Sequence, residues 1–280
     1  MKINCEVRYA SHPDDVKQYD TTRLRQHFLV ENLMVADEIN MVYSMFDRII
    51  AGGAVPVREE LVLKAPDVLR ADWFTQRREL GIINVGGTGV VKVGEEEFEI
   101  PYKEALYVGR GDRDVSFRSP DPEHPAHFYF NSAPAHKETG IKHVTKQDAV
   151  VMNCGSLEES NKRTINRLLV KEVVPCCQLQ MGMTELAPGS TWNTMPAHTH
   201  DRRMEVYFYF ELPEKDAVCH FMGQPRETRH IWMHNEQAVI SPQWSIHSAC
   251  ATRNYTFIWG MCGENDDYGD MDWCATEDLR

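Results

Sequence analysis

The sequence predicts an all-β protein built from two antiparallel β-barrel or jelly-roll domains with a few short helices. Short β-rich segments separated by glycine turns occupy residues 81–109, and an aromatic strand-like segment occupies residues 206–210. Strands that follow one another through turns favour barrels over a parallel sheet, whose strands alternate with helices. The 280 residues are enough for two barrels of about 120 residues each.

The predicted elements begin with a short helix at residues 21–30, because Leu24, Phe28 and Leu29 recur at helical spacing. An alternating strand follows at residues 37–48, and the first barrel extends from about residue 41 to 129. Its glycines at positions 86, 87 and 89 resemble a dinucleotide-binding loop. That interpretation fails because a further strand, not a helix, follows them.

The second barrel is predicted at residues 178–260, and residues 131–171 are interpreted as a polar connection between the barrels. We place the domains at 1–150, without a metal site, and 151–280, with one. The C-terminal tail (residues 263–280) is acidic and weakly periodic. We expect it to cover a sheet edge or join a subunit contact, without a part in function.

Composition limits the possible functions. The formal charge of −12 argues against nucleic-acid binding, which needs a cationic surface. Eight cysteines are too sparse for a disulfide framework, and the adjacent pair Cys176 and Cys177 is poorly placed for a bridge. The first twenty residues lack an apolar signal segment, and no apolar run approaches membrane-spanning length. We therefore expect a cytoplasmic protein without a membrane partner.

The segment from His198 to Glu205 predicts a metal site. His198 and His200 are two residues apart, so on a β-strand both side chains project from one face. The polar step at residues 201–203 is typical of a turn, after which Glu205 opens a strand and can face the same ion. Two imidazoles and a carboxylate are ligands for a first-row metal.

A fourth ligand is expected from His247, which follows the apolar run at residues 238–240 and Pro242. The two histidines, Glu205 and this later Pro-x4-His element resemble the two motifs of the cupin superfamily. Two positions depart from those motifs: eight residues instead of five separate Gly189 from His198, and Trp244 replaces a glycine. All four ligand types are nevertheless present.

Three chemistries suit such a site: Lewis-acid isomerisation, oxygen activation at iron and oxidation at manganese. Longer segments narrow the choice, because they are similar to the 5-keto-4-deoxyuronate isomerase family from near residue 20 to the C-terminus. The matching segments are residues 31–38, 77–87, 105–109, 161–166, 192–196, 198–210, 222–225, 227–230 and 233–242.

This resemblance implies a bicupin that binds one Zn²⁺ per chain through His198, His200, Glu205 and His247. It also implies an aldose-ketose isomerase that converts 5-dehydro-4-deoxy-D-glucuronate into 3-deoxy-D-glycero-2,5-hexodiulosonate during the breakdown of pectin and related polyuronides. A homohexamer is implied as well. Zinc has no redox chemistry, which suits an isomerisation through an enediolate.

The residues that handle protons and substrate are less defined. Tyr207 is favoured as the acid-base group, because it lies two residues from Glu205 on one strand face. Glu185, Glu236 and a metal-bound hydroxide are alternatives. The substrate carboxylate calls for arginine, whose fork matches it. Candidates for substrate contact are Arg163, Arg229, Arg202 and Arg203, with Trp192 and Trp244 as possible pocket walls.

Two other functions stay open from the residues alone. A metal-dependent cupin oxygenase of a small organic acid predicts iron and oxygen uptake. A sugar-binding bicupin without turnover predicts stabilisation by ligand but no conversion of a uronate.

Overall fold

The computed structural model describes residues 2–265 and 267–280. Within these ranges the chain forms 24 β-strands, two short α-helices and two 3-10 turns, which confirms the all-β prediction. The helices are α1 (Pro13–Val16) and α2 (Thr21–Phe28), and the 3-10 turns are Asp67–Leu69 and Thr276–Asp278. Helix α2 lies where the apolar spacing predicted it and begins after Asp20, whose side chain accepts a hydrogen bond from the Arg23 N–H at 2.8 Å.

The strands follow in chain order. The first twelve are β1 (Lys2–Arg8), β2 (Leu29–Val30), β3 (Glu38–Ser44), β4 (Ile50–Ala54), β5 (Leu61–Val62), β6 (Arg78–Asn84), β7 (Gly89–Val93), β8 (Glu96–Ile100), β9 (Ala105–Val108), β10 (Val115–Arg118), β11 (Phe128–Pro134) and β12 (Ile141–Val144). The others are β13 (Val150–Cys154), β14 (Arg163–Leu169), β15 (Leu179–Leu186), β16 (Trp192–Asn193), β17 (His198–Thr199), β18 (Arg203–Phe210), β19 (Val218–Gln224), β20 (Glu227–Met233), β21 (Gln237–Ser241), β22 (Ser248–Ala251), β23 (Thr256–Gly263) and β24 (Asp272–Trp273).

The chain divides into two compact units. The first comprises Met1–Arg8, Asn32–Val150 and Leu168–Met181, and the second comprises Tyr9–Glu31, Val151–Arg167 and Gly182–Arg280. The main division of the chain lies between Val150 and Val151. Two segments, residues 9–31 and 168–181, group with the unit on the other side of that division.

The first unit contains a seven-stranded sheet in the order β1-β3-β4-β11-β6-β9-β12 and a four-stranded sheet in the order β5-β10-β7-β8. Its core takes alternate residues from both sheets, among them Ile82 of β6, Val91 of β7, Phe117 of β10 and Phe128 of β11. This two-residue period puts one face of each strand in the core, as a two-sheet barrel requires.

The second unit is built on a seven-stranded sheet in the order β13-β14-β15-β23-β18-β21-β2 and a four-stranded sheet in the order β16-β22-β19-β20. A two-stranded ribbon, β17-β24, accompanies them. Strand β18 pairs antiparallel with β21 and β23 and is buried along its whole length. Its two faces therefore carry different layers of the unit, with Glu205 and Tyr207 on one of them.

The predicted polar connection at residues 131–171 is wrong. This segment holds the end of β11 and the strands β12, β13 and β14. In β14, Arg163 and Ile165 line the cavity described below, whereas Asn166 is buried. A strand with polar residues on a cavity-facing side lacks the apolar alternation used to identify strands, so it was mistaken for a loop.

Candidate metal centre

Three elements of the second unit bring the predicted ligands together. His198 lies on β17, His200 follows at the start of a tight turn, and Glu205 lies on β18 after that turn. His247 immediately precedes β22. All four side chains are buried, and one ligand atom from each lies within 4.8 Å of the others. The group predicted from sequence is thus assembled in space.

The distances inside the group are those of a metal site. Glu205 Oε2 lies 3.1 Å from His200 Nε2 and 3.0 Å from His247 Nε2, and His247 Nε2 lies 2.9 Å from His198 Nε2. A first-row ion about 2.0–2.2 Å from each ligand places neighbouring ligand atoms about 3–3.5 Å apart. Three nitrogens and one carboxylate oxygen at these spacings fit one such ion.

Hydrogen bonding fixes the orientation of His200. Its Nδ1 donates to the main-chain carbonyl of Arg203 at 2.8 Å. Because a carbonyl only accepts, the proton of the neutral ring lies on Nδ1, and Nε2 presents a lone pair to the group. This is the usual arrangement of a histidine that ligates through one nitrogen and is held by the other.

Burial and charge set the protonation of these groups. Burial lowers the pKa of His198 to about 2, and the neighbouring His247 adds to the effect, so this ring is neutral. Burial would also lower the pKa of His200, but the hydrogen bond to Glu205 and the charge of that carboxylate together outweigh burial and raise it. Burial would raise the pKa of Glu205, yet the two imidazoles beside it hold that pKa well below its ordinary value. The Glu205 carboxylate is therefore ionised, and a bound cation can displace any proton from the imidazole rings around it.

Three members of the group, His198, His200 and Glu205, line a cavity of about 380 Å³, a size suited to a small organic ligand. The remaining lining is mixed, with apolar walls and a few polar side chains. Besides the ligands His198, His200 and Glu205, it consists of Met152, Cys154, Arg163, Ile165, Thr184, Thr194, Tyr207, Phe257, Trp259, Met261, Tyr268, Met271 and Trp273.

Tyr207 lies in this cavity beside the ligands, as its position two residues after Glu205 predicts. Its hydroxyl is 3.2 Å from Thr194 Oγ1, and its ring centroid is 5.5 Å from that of His247. Burial, with the charge of Glu205 adding to it, raises the pKa of Tyr207 well above its ordinary value. The phenol is therefore protonated at neutral pH and can donate a hydrogen bond.

Other candidates lie elsewhere in the second unit. Glu185 follows the cavity residue Thr184 on β15, so it faces the opposite side, where it accepts from Asn166 Nδ2 at 3.0 Å. Glu236 occupies a left-handed position (φ 59°) in the turn between β20 and β21, and its N–H donates to the Tyr209 carbonyl. Neither position brings the carboxylate to the cavity lining.

Two tryptophans and one arginine expected at the substrate are also placed elsewhere. Trp192 stacks on Phe221 with centroids 5.8 Å apart, and Trp244 packs edge-on against Phe28 at 6.4 Å. Arg229, on β20, donates to the Lys17 carbonyl at 2.6 Å. The expectation that the tryptophans wall this cavity needs correction, because their aromatic faces serve packing instead.

Arg203 is a further correction, because its guanidinium is committed to the C-terminal tail. The residue is fully buried and donates to Asn265 Oδ1 at 2.9 Å and to the carbonyls of Asp267 and Tyr268 at 2.9 and 3.0 Å. It also pairs with Asp270 at 2.6 Å. These partners occupy the guanidinium, so Arg203 holds the tail rather than a substrate.

The C-terminal tail was predicted to have no part in function, but it contributes to the lining of the cavity. Tyr268, Met271 and Trp273 all line the cavity, and β24 pairs with β17 so that Trp273 stands opposite His198. The tail reaches this position because β24 pairs with β17, which lies more than sixty residues earlier in the chain. No local sequence pattern encodes that pairing. Its three aromatic or apolar residues in an acidic segment are the one signal that was available.

Comparison with known proteins adds close relatives of the same length. The chain is 64% identical over 280 residues to a 4-deoxy-L-threo-5-hexosulose-uronate ketol-isomerase of Bacteroides fragilis, with both chains covered completely. It is 63% identical over the same length to 4-deoxy-L-threo-5-hexosulose-uronate ketol-isomerase 1 of Bacteroides thetaiotaomicron, and 57% identical to the Formosa agariphila protein of the former name, again with complete coverage of both chains.

Solved structures share the fold at low identity. An IolB-like protein of Salmonella typhimurium LT2 superposes with a TM-score of 0.66 at 14% identity, covering 81% of this chain and 87% of that one. An oxalate decarboxylase of Lactobacillus farciminis gives a TM-score of 0.55 at 10% identity, covering 80% and 79%. Residues 28–276 match the profile of the KduI/IolB family. With this match and the full-length relatives, the chain belongs to the KduI/IolB family.

Proposed function

We propose that this protein is a ketol-isomerase that converts 5-dehydro-4-deoxy-D-glucuronate into 3-deoxy-D-glycero-2,5-hexodiulosonate, with Zn²⁺ held by His198, His200, Glu205 and His247. The observation that carries the proposal is the buried three-imidazole, one-carboxylate group beside a cavity, in a chain 64% identical over its full length to a named ketol-isomerase.

The donor set suits the proposed ion. Zinc accepts imidazole nitrogen and carboxylate oxygen and can expand to five ligands, so four protein ligands still leave room for a substrate oxygen. When bound, it would supply Lewis-acid stabilisation of negative charge that develops on the substrate oxygens. The neutral ring of His198 and the ionised carboxylate of Glu205 are the protonation states that such a cation requires.

Tyr207 is the proposed proton donor. Moving a carbonyl from the first carbon to the second takes a proton from the second carbon and returns one to the first. The first oxygen gains a proton and the second oxygen loses one, with negative charge on oxygen in between. The protonated phenol lies beside the ligand group and can donate to a substrate oxygen as this charge develops. Thr194, 3.2 Å away, orients the hydroxyl.

Arg163 is the proposed partner of the substrate carboxylate. It lines the cavity from β14, and its Nη1 donates to the Asn161 carbonyl at 2.9 Å, which fixes the side chain. The fork of a guanidinium can give two parallel hydrogen bonds to a carboxylate. Arg163 also answers the requirement that cationic charge be concentrated locally in a chain of net charge −12.

Conversion of the uronate by metal-replete protein without oxygen tests this function. In ¹H NMR under anaerobic conditions, we expect the wild-type protein to form the ketose and His198→Ala to form none. Substrate-dependent oxygen uptake would instead favour the oxygenase. Stabilisation by the uronate without any conversion would favour a sugar-binding protein, and either result would refute the isomerase.

Finer aspects of the proposal stay predictions. They are the homohexamer, the cytoplasmic compartment and a role in pectin degradation. Light scattering of the purified protein tests the first. Among residues 2–265 and 267–280, the structure has no helix long and apolar enough to cross a membrane.

A further inference from the structure

The geometry points to Trp273 as a substrate-contacting residue, an aromatic platform at the cavity mouth against which the apolar C–H face of the sugar acid packs. This inference rests on the proposed function and deepens it, because it assigns a binding role to a residue of the C-terminal tail. Three properties of Trp273 favour this role: its position, its exposure and the contacts that hold the chain on either side of it.

The position of Trp273 is beside the ligand group. Antiparallel pairing of β17 with β24 sets Trp273 directly opposite His198, so both side chains project from the same face of the ribbon. Their ring centroids are 4.9 Å apart at an interplanar angle of 66°. The indole is also part of the cavity lining, so a molecule bound in the cavity next to His198 lies within reach of it.

The exposure of Trp273 is unusual for a residue in such a position. Its accessible fraction is 62%, whereas His198 opposite it is buried. Indoles contribute large apolar areas, and an exposed one at the rim of a cavity is typical of a ligand-binding surface. A hexuronate has a C–H face that can cover it, while its carboxylate is directed to Arg163 on another part of the lining.

The support of Trp273 shows that its exposure does not come from a loose chain end. On one side, Arg203 holds Asn265, Asp267, Tyr268 and Asp270 through its hydrogen bonds and its ion pair. On the other side, the Cys274 N–H donates to the Ala197 carbonyl at 2.9 Å. Beyond it, the Arg280 N–H donates to the Pro225 carbonyl at 3.0 Å. The indole is thus presented at a fixed place, as a preformed binding surface requires.

The test compares Trp273→Ala and Trp273→Phe with a matched control, Trp232→Ala. Trp232 is another exposed tryptophan of the second unit, with an accessible fraction of 49%, and lies on β20. We expect Trp273→Ala to raise KM for 5-dehydro-4-deoxy-D-glucuronate about tenfold, Trp273→Phe to raise it less, and Trp232→Ala to leave it unchanged. Metal content should stay at the wild-type level in all three variants.

Acrylamide quenching gives a readout that does not depend on turnover. The equilibrated uronate mixture should protect one tryptophan of the wild-type protein, and this protection should be absent in Trp273→Phe and present in Trp232→Ala. A wild-type KM for Trp273→Ala would overturn the inference. A loss of metal from Trp273→Ala with unchanged KM would overturn it as well, because that result indicates that Trp273 only packs against His198. If raising the protein concentration alone, without uronate, protects the tryptophan, then a second copy of the chain covers the indole. That result would also overturn the inference.

The two proposals fail in different ways. A wild-type protein that converts no uronate refutes the isomerase function, whereas fluorescence still reports whether the uronate covers Trp273. A wild-type protein that converts the uronate, together with an unaffected Trp273→Ala variant, refutes the platform alone.

Discussion

Replacing Arg203 with methionine tests how the C-terminal tail is held against the cavity. The substitution keeps much of the buried stem but removes the charge and every donor of the guanidinium. It leaves Asp270 Oδ1, 2.6 Å away in the wild-type protein, and three carbonyl oxygens without their donor, while Asp270 Oδ2 keeps its pair with Arg202 at 3.1 Å. Breaking a buried ion pair in this way costs about 3–5 kcal/mol if the structure around it does not move.

The tail has a less costly response, which is to detach. Asp267 and Gly269 are exposed already, so release of residues 264–273 returns the unpaired groups to water without opening the barrel. We therefore expect amide exchange in this segment to accelerate at least about a hundredfold, while the melting temperature changes little. Conversion of the uronate should fall, because Tyr268, Met271 and Trp273 leave the cavity lining.

Metal content separates this effect from damage to the ligands. His200 is oriented by the main-chain carbonyl of residue 203, which any side chain retains, so Arg203→Met should keep its metal. Arg202→Met is the matched control, because the Arg202 side chain is 41% exposed, so water screens its pairs with the exposed Asp267 and the partly buried Asp270. Its effect on exchange should stay below about fivefold. Tail exchange at the wild-type rate in Arg203→Met would refute the reasoning.

Three further predictions concern the ligands, the proton donor and the first unit. Glu205→Gln removes the only charged ligand of the group and should weaken metal binding at least about a hundredfold, measured by competition with a chelator; an unchanged affinity would exclude Glu205 as a ligand. Tyr207→Phe should lower kcat about 10²–10⁴-fold with an unchanged melting temperature, and a wild-type kcat would reject the phenol as proton donor. Asp37, whose pKa is lowered to about 2 above all by the Arg58 N–H, is ionised in the folded state. Asp37→Asn should therefore lower the unfolding free energy in urea at pH 7 by about 1 kcal/mol, because Arg58 is 84% exposed and solvent screens the pair. Because the folded-state pKa is depressed, the wild-type advantage should be complete above pH 4 and fade as the pH falls toward 2; a pH-independent difference would contradict this origin.

Most of the fold prediction came from the local periodicity of apolar residues along the sequence. Strand alternation and glycine turns identified β6 to β9, and helical spacing identified α2. The same two-residue period placed His198 beside His200 and Tyr207 beside Glu205. These relations act within one strand or turn, so they can be read without knowing which strands pair.

Features that depend on pairing between distant segments could not be predicted in the same way. The tail reaches the cavity through the pairing of β24 with β17 and the contacts of Arg203 with Asn265, Asp267, Tyr268 and Asp270. Trp192 and Trp244 were expected at the substrate by residue type alone, and their placement depends on which partner each ring packs against. Strand β14 was missed because polar residues interrupt its apolar alternation, among them Arg163 on the side that faces the cavity.

The dependence of turnover on the metal tests the central claim most directly. Protein stripped with a chelator is titrated with Zn²⁺, and the initial rate of uronate conversion is measured at each addition. We expect the rate to rise in proportion to added zinc until about one ion per chain is bound. The rate of His198→Ala should not rise. Stripped protein that converts the uronate as fast as the zinc-loaded protein would contradict it.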